Sequence, residues 1–164
     1  MFDKNILTLA SQVLEAARNR SMLVVTAESC TGGLISGALT EIPGSSDVVD
    51  RGFVTYSNEA KNQMLGVSTE SLHRFGAVSS AVAKEMAYGA LVNSRSDVSV
   101  AVTGVAGPGG GTPEKPVGLV WIGVARQGEA PYAHEFHFGN IGRDKIRQAT
   151  VANALRLLKS AITD

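Results

Sequence analysis

The sequence predicts an α/β protein: a single-domain three-layer α/β/α sandwich over residues 1–164, with a mixed sheet of five to six strands. Three observations carry that expectation. Met22 to Thr26 is a short apolar, β-branched run, polar only at its last residue, which suits a strand covered on both faces. Directly after it come Ala27-Glu28-Ser29-Cys30-Thr31-Gly32-Gly33, and then Leu34, Ile35, Ala38 and Leu39 at helical spacing. Beyond that point strand-like and helix-like stretches interleave to the C-terminus, and one strand pair is joined by a short polar turn, so the sheet is mixed.

The elements follow in order. Ile6, Leu7, Leu9, Ala10, Val13, Leu14 and Ala17 repeat as one face of a first helix, with Asp3 or Asn5 available as its cap. The central strand and the Ser29 turn come next, then a helix that ends before Pro43-Gly44. Arg51 to Ser57 contains Phe53, Val54, Thr55 and Tyr56, all strand formers, and Asn58 is placed to cap a short helix carrying Lys61 and Leu65. Ser68 opens another helix that stops at Gly76, and Ser79 or Ser80 opens a longer one through Leu91. Val98 to Thr103 is an apolar strand that runs into the glycine-rich loop 104–112. Val117 to Ala125 and Pro131 to Phe138 read as a hairpin around Gln127-Gly128-Glu129-Ala130. Arg143 to Ile162 is the closing helix.

Composition narrows the function classes. Lys plus Arg and Asp plus Glu are both 15, and one Trp, three Tyr and five Phe form no stacking pattern. Neither nucleic acid nor an anionic membrane is an expected partner. A lone cysteine cannot form an internal disulfide, no basic-then-apolar leader opens the chain, and no run approaches a membrane span. A soluble, cytoplasmic protein is expected.

The chemistry is expected at the Ser29 turn. Where a strand feeds straight into a helix, its connecting residues sit beside unpaired backbone N–H groups and the positive end of the helix dipole. Ser29 and Cys30 would then stand at the carboxyl end of a strand with donors for an oxyanion between Cys30 and Gly33. The plainer role for Ser29 is that of a helix cap, and the Gly-x-Ser-x-Gly elbow is absent because Ala27 holds the place of its first glycine. Lys61, just past the second strand, can reach the same sheet edge. A serine needs a base, no histidine occupies an obvious loop position, and a desolvated lysine can serve. The plainer role for Lys61 is a solvated surface charge. Tyr56 can relay a proton or only fill space. Cys30 is the rival nucleophile, since a thiolate at a helix N-terminus is intrinsically the stronger one.

Thr103 and the loop after it (Gly104, Gly107, Gly109 and Gly110) offer backbone donors to a phosphate, with Arg143 supplying a guanidinium. This is neither a Walker loop nor a dinucleotide fingerprint. Lys145 and Arg147 read as surface charges. His134 and His137, three apart in a strand, face opposite ways, and no pair of ligands has metal spacing. No metal and no cofactor is expected. Glu28 is a candidate substrate contact.

Ala27–Gly33, Gly52–Lys61, Gly76-Ala77-Val78-Ser79, Gly104-Val105-Ala106-Gly107-Pro108 and Lys115-Pro116-Val117-Gly118 together strongly resemble the CinA C-terminal domain family, in order and over essentially the whole chain. The resemblance implies hydrolysis of the carboxamide of nicotinamide mononucleotide to nicotinate mononucleotide and ammonia, in pyridine-nucleotide recycling. It places the family's serine, tyrosine and lysine on Ser29, Tyr56 and Lys61. The expected substrate contacts are Glu28, Cys30, Thr31, Gly32, Gly33, Thr103, Gly104, Gly107, Gly109, Gly110 and Arg143. It also implies a homo-oligomer, a dimer at least. Full-length members carry a further N-terminal domain acting on nucleotide pyrophosphates, and that activity is not expected here. Two other readings stand beside it: a nucleotide-binding or regulatory module without turnover, and an amidase for a related amide-bearing nucleotide.

Overall fold

The computed structural model describes all residues from Met1 to Asp164. Helix α1 (Lys4–Asn19) begins where the Asp3 carboxylate accepts from the Ile6 N–H at 2.8 Å, and it buries Ile6, Leu9, Ala10, Val13, Leu14 and Ala17. Strand β1 (Val24–Glu28) is buried along its whole length and is followed by α2 (Leu34–Thr40). A 3-10 turn at Ser45–Asp47 leads into β2 (Val49–Val54). Three helices then run in succession, α3 (Asn58–Leu65), α4 (Thr69–Phe75) and α5 (Ser80–Val92), before β3 (Val98–Gly104). The antiparallel strands β4 (Leu119–Arg126) and β5 (Tyr132–His137) and the long helix α6 (Arg143–Thr163) complete the chain.

The five strands lie in the order β2-β1-β3-β4-β5. β1 is parallel to both β2 and β3, while β3/β4 and β4/β5 are antiparallel. Strand alternation sorts the core into two layers. Val24, Val98, Val100 and Val102 face α1, α2 and α6, together with Val120, Ile122 and Val124. Val25, Ala27, Ala101 and Ala125 face the other way, against Leu65, Leu72, Val82, Met86 and Leu91 of the α3–α5 side. The second face is lined by small residues because α5 rides close to it. A Cβ on Gly123 of β4 would stand 2.3 Å from the Ala83 carbonyl oxygen.

This arrangement positions a site. The link from β1 to β2 carries α2 on one face, and the link from β2 to β3 carries α3–α5 on the other. The loops leaving β1 and β2 therefore part at the carboxyl edge of the parallel strands, where open α/β sheets place their crevices.

Several boundaries differ from the sequence expectation, among them β1, which runs Val24–Glu28 against the expected Met22–Thr26, and β2, which starts at Val49 against the expected Arg51. β2 ends at Val54, although the Thr55 N–H still donates to the Glu28 carbonyl at 2.9 Å, and Tyr56 and Ser57 lie outside the strand. Ser57, not Asn58, caps α3, its hydroxyl accepting from the Ala60 N–H at 3.0 Å. β4 starts at Leu119, because Pro116 and Val117 still belong to the glycine loop. Of five to six expected strands there are five.

Candidate active site

Ser29 is the first residue after β1, and its N–H still donates to Val102 of β3 at 3.1 Å. The chain then turns within four residues to enter α2, with Gly32 at φ +56 and Gly33 at φ +105. Two successive left-handed residues are costly for any side chain with a Cβ, and this turn needs both glycines.

Glu28 organises the inner side of the turn. Fully buried, its carboxylate accepts from the Thr31 hydroxyl at 2.6 Å and from the Ile35 and Ser36 N–H groups at 2.8 and 3.0 Å. These are the donors that an α-helix leaves unpaired in its first turn, so Glu28 caps α2 from the preceding strand. The expectation that Glu28 faces substrate does not fit this geometry, because both of its oxygens point into the protein. The expectation of an oxyanion site between Cys30 and Gly33 is also narrowed. The Gly32 N–H donates to Ser29 and the Leu34 N–H to Thr31, which leaves the amides of Cys30, Thr31 and Gly33 without an acceptor inside the protein.

Lys61 comes from the first turn of α3 and extends back toward the sheet, as helical side chains lean toward the N-terminus. Only 2% of it is exposed. Its Nζ lies 3.0 Å from Ser29 Oγ and donates to the Thr55 carbonyl at 2.9 Å. It forms no ion pair. Burial holds its pKa below the ordinary 10.5, and nearby Cys30 opposes that shift.

Cys30 is 4% exposed, and burial pushes its thiol up to about 11. Such a thiol is protonated at neutral pH and is a poor nucleophile. Ser29, next to an amine of lowered pKa, has the better chemistry.

Ser29 and Cys30 open onto a cleft of about 300 Å³ lined also by Tyr56, Val78, Arg143 and the loop residues Gly104, Gly107, Gly109 and Gly110. Arg143, at the start of α6, donates from Nη1 to the Gly107 carbonyl at 2.7 Å and from Nη2 to the Tyr56 hydroxyl at 2.8 Å. Tyr56 is 62% exposed, and its hydroxyl is bonded to Arg143, not to the Ser29–Lys61 pair. Other expected contacts turn away from the cleft. The Thr103 hydroxyl donates to the Ala77 carbonyl at 2.9 Å, and the Thr31 side chain is committed to Glu28. Both residues are buried. Gly32 and Gly33 shape the turn, and neither lines the cleft. No group of three or more His, Cys, Asp or Glu side chains converges in the chain.

Arg147, a surface charge on the sequence reading, is tied to the Ser29 turn in the structure. Its Nε donates to the Cys30 carbonyl at 3.0 Å and its Nη2 to the Thr31 carbonyl at 3.2 Å. The available signal was its spacing: Arg143 and Arg147 are four apart and share a face of α6.

An α/β sheet with a serine and a buried lysine in contact at the carboxyl edge of its parallel strands defines a class of protein fitted for acyl transfer. The chain belongs to the CinA C-terminal domain family, whose model matches residues 6–162. It is 48% identical over 159 residues to the nicotinamide-nucleotide amidohydrolase PncC of Escherichia coli K12, covering 96% of this chain and 95% of that protein. It is 51% identical to a competence-damage inducible protein of Caldicellulosiruptor saccharolyticus, of which it spans only 37%. Among solved structures, the competence/damage inducible protein CihA of Agrobacterium tumefaciens matches with a TM-score of 0.97. That match has 54% identity and covers 100% of this chain and 99% of the other.

Proposed function

We propose that this protein is a nicotinamide-nucleotide amidase, which hydrolyses the carboxamide of nicotinamide mononucleotide to nicotinate mononucleotide and ammonia. The observation that carries the reading is the 3.0 Å contact between Lys61 Nζ and Ser29 Oγ. The likeness to a named amidohydrolase over 95% of that protein's length supports the substrate.

The pocket around Nζ favours a neutral amine. It offers two acceptors, Ser29 Oγ and the Thr55 carbonyl, for what would be three N–H groups of an ammonium. A neutral Lys61 keeps one N–H on Thr55 and turns its lone pair to the Ser29 hydroxyl. It takes that proton as the oxygen attacks the amide carbon. General base help of this kind is worth about 10²–10⁴-fold in rate. The Cys30 amide, at the cleft, is the donor for the oxyanion, a contribution of roughly 3–4 kcal/mol where a single donor has been removed from other enzymes. The proton then held by Lys61 goes to the departing nitrogen, and ammonia leaves a nicotinoyl ester on Ser29. Water, deprotonated by the same amine, cleaves the ester and restores the hydroxyl.

The nucleotide's phosphate is placed against Arg143 and the backbone of residues 104–111, and the pyridine beside the exposed ring of Tyr56. Charge at one end then anchors the substrate while the uncharged amide meets Ser29. The reaction is placed in the cytoplasm, and a homo-oligomer belongs to the same reading. No helix of the chain is long and apolar enough to cross a membrane.

The test is ammonia release from a panel of nicotinamide mononucleotide, the riboside lacking phosphate, free nicotinamide and other amide-bearing nucleotides, each with and without chelator. The reading expects turnover of the mononucleotide in both conditions and much weaker turnover of the two compounds without phosphate. Binding of the mononucleotide with no product over hours would favour a non-catalytic nucleotide-binding module instead.

A further inference from the structure

The turn that carries Ser29 is gripped from two sides, and only one grip comes from its own neighbourhood. Glu28 holds it from the sheet side, through Thr31 and the first turn of α2. Arg147 holds it from α6, a helix more than a hundred residues further along, by donating to the Cys30 and Thr31 carbonyls. Arg147 has no carboxylate partner. Its charge is spent on two peptide carbonyls directly after the nucleophile. A guanidinium suits this task because its N–H groups are fixed in one plane and can meet two acceptors at once.

In a trans peptide the carbonyl of one residue and the N–H of the next point in opposite directions. Fixing the Cys30 carbonyl on Arg147 Nε therefore aims the Thr31 N–H away from Arg147. That amide has no acceptor within the protein. Fixing the Thr31 carbonyl likewise sets the Gly32 N–H, which closes the turn on the Ser29 carbonyl at 3.0 Å and so fixes the Ser29–Cys30 peptide, whose N–H has no acceptor within the protein and belongs to a residue lining the cleft.

We propose that Arg147 is a positioning residue for the amidase reaction, which fixes the peptides after Ser29 so that the Cys30 amide, unpaired and at the cleft, is ready for the oxyanion. The inference rests on the Ser29 acyl-transfer reading. It differs from the part given to Arg143, which lines the cleft and is placed to touch substrate. Arg147 is absent from the cleft lining.

The two arginines give opposite kinetic signatures. A residue that holds substrate in ground and transition states alike raises KM when removed, whereas one that prepares a transition-state donor lowers kcat. The experiment measures kcat and KM for nicotinamide mononucleotide in Arg147→Gln and Arg147→Lys, beside wild type, with the folded fraction of each followed by circular dichroism. Losing an oxyanion donor outright costs about 10²–10³ in kcat, so misaiming one is expected to cost roughly 10–100-fold. We expect that loss in Arg147→Gln with KM within about threefold of wild type. Arg147→Lys is expected between the two, since one ammonium keeps the charge but not the two-carbonyl fork. The proposal is overturned by unchanged kcat in Arg147→Gln, by a loss confined to KM, or by a loss that disappears when rates are divided by folded protein. Failure of both variants to fold would make Arg147 a clamp for the fold alone and would also overturn it. Ser29→Ala, assayed in parallel, separates the two levels: turnover in that variant removes the serine reading itself, whatever Arg147 does.

Discussion

Lys61 Nζ stands 3.0 Å from Ser29 Oγ across 32 residues of sequence, in a setting where only 2% of the lysine meets solvent. A lysine so buried without an ion pair is an unfavourable element of a fold, since desolvation penalises its charge. The proposed function gives that unfavourable placement a use, as a neutral amine beside a serine hydroxyl.

Removing the amine should cost activity without costing the fold. Lys61→Met keeps most of the volume and replaces a polar head by an apolar one in a buried position. Turnover is expected to fall at least about 100-fold. Stability in urea is expected to stay within about 1 kcal/mol of wild type or to rise, as when other buried charges give way to apolar residues. Lys61→Arg should be equally inactive, because a guanidinium is not a base at neutral pH. Paired activity and unfolding measurements check both.

The pH dependence follows from the direction of the lysine's shift. Burial holds Lys61 below 10.5 in the folded chain, while the unfolded chain returns it to about that value. Below the folded pKa both states carry the proton. Between the folded pKa and 10.5 the unfolded state binds more protons, so stability rises with pH across that interval. Activity should rise with pH on a limb set by the same ionisation, below 10.5. Lys61→Met should lack the stability rise. Rate profiles and urea titrations at a series of pH values test the two together.

Cys30 offers a contrast to its neighbour. Its thiol is buried and held up to about 11, so it should react slowly with iodoacetamide at neutral pH. Cys30→Ala keeps the backbone amide and should retain kcat within about threefold, at a stability cost of about 1 kcal/mol. Alkylation rates and steady-state kinetics read these outcomes.

Tyr56 should act through Arg143. Its hydroxyl accepts from that guanidinium at 2.8 Å at the exposed mouth of the cleft. Tyr56→Phe frees Arg143 from that bond, and the loss of one such exposed hydrogen bond is worth about 1 kcal/mol. A KM raised by roughly fivefold with kcat little changed is the expected result. A proton relay would lower kcat instead.

The framework of this site was legible in the chain because it is built from local signals. An apolar run over Met22 to Thr26, two glycines in the turn and a helical repeat from Leu34 put Ser29 at a sheet edge. The strand before Tyr56 and the polar start after it put Lys61 within reach of the same edge. What was missed depends on contacts distant in sequence or on pleat direction. Arg147 meets Cys30 over a separation of 117 residues, and its spacing from Arg143 marks the shared helix face but not the partner. Glu28 reads from the sequence as a candidate substrate contact, but it caps α2. Strand alternation puts it on one face with Val24, the face that α2 covers. Tyr56 looked like part of a strand because its residue type favours one, but the pairing with β1 ends before it.

The most direct measurement is ammonia release from nicotinamide mononucleotide by Ser29→Ala, with folding checked by thermal unfolding and Cys30→Ala run alongside. A loss of at least about a thousandfold is expected in the serine variant, with a native-like unfolding transition, and substantial turnover in the cysteine variant. Turnover in Ser29→Ala within about tenfold of wild type, or activity lost only when Cys30 is replaced, would contradict it.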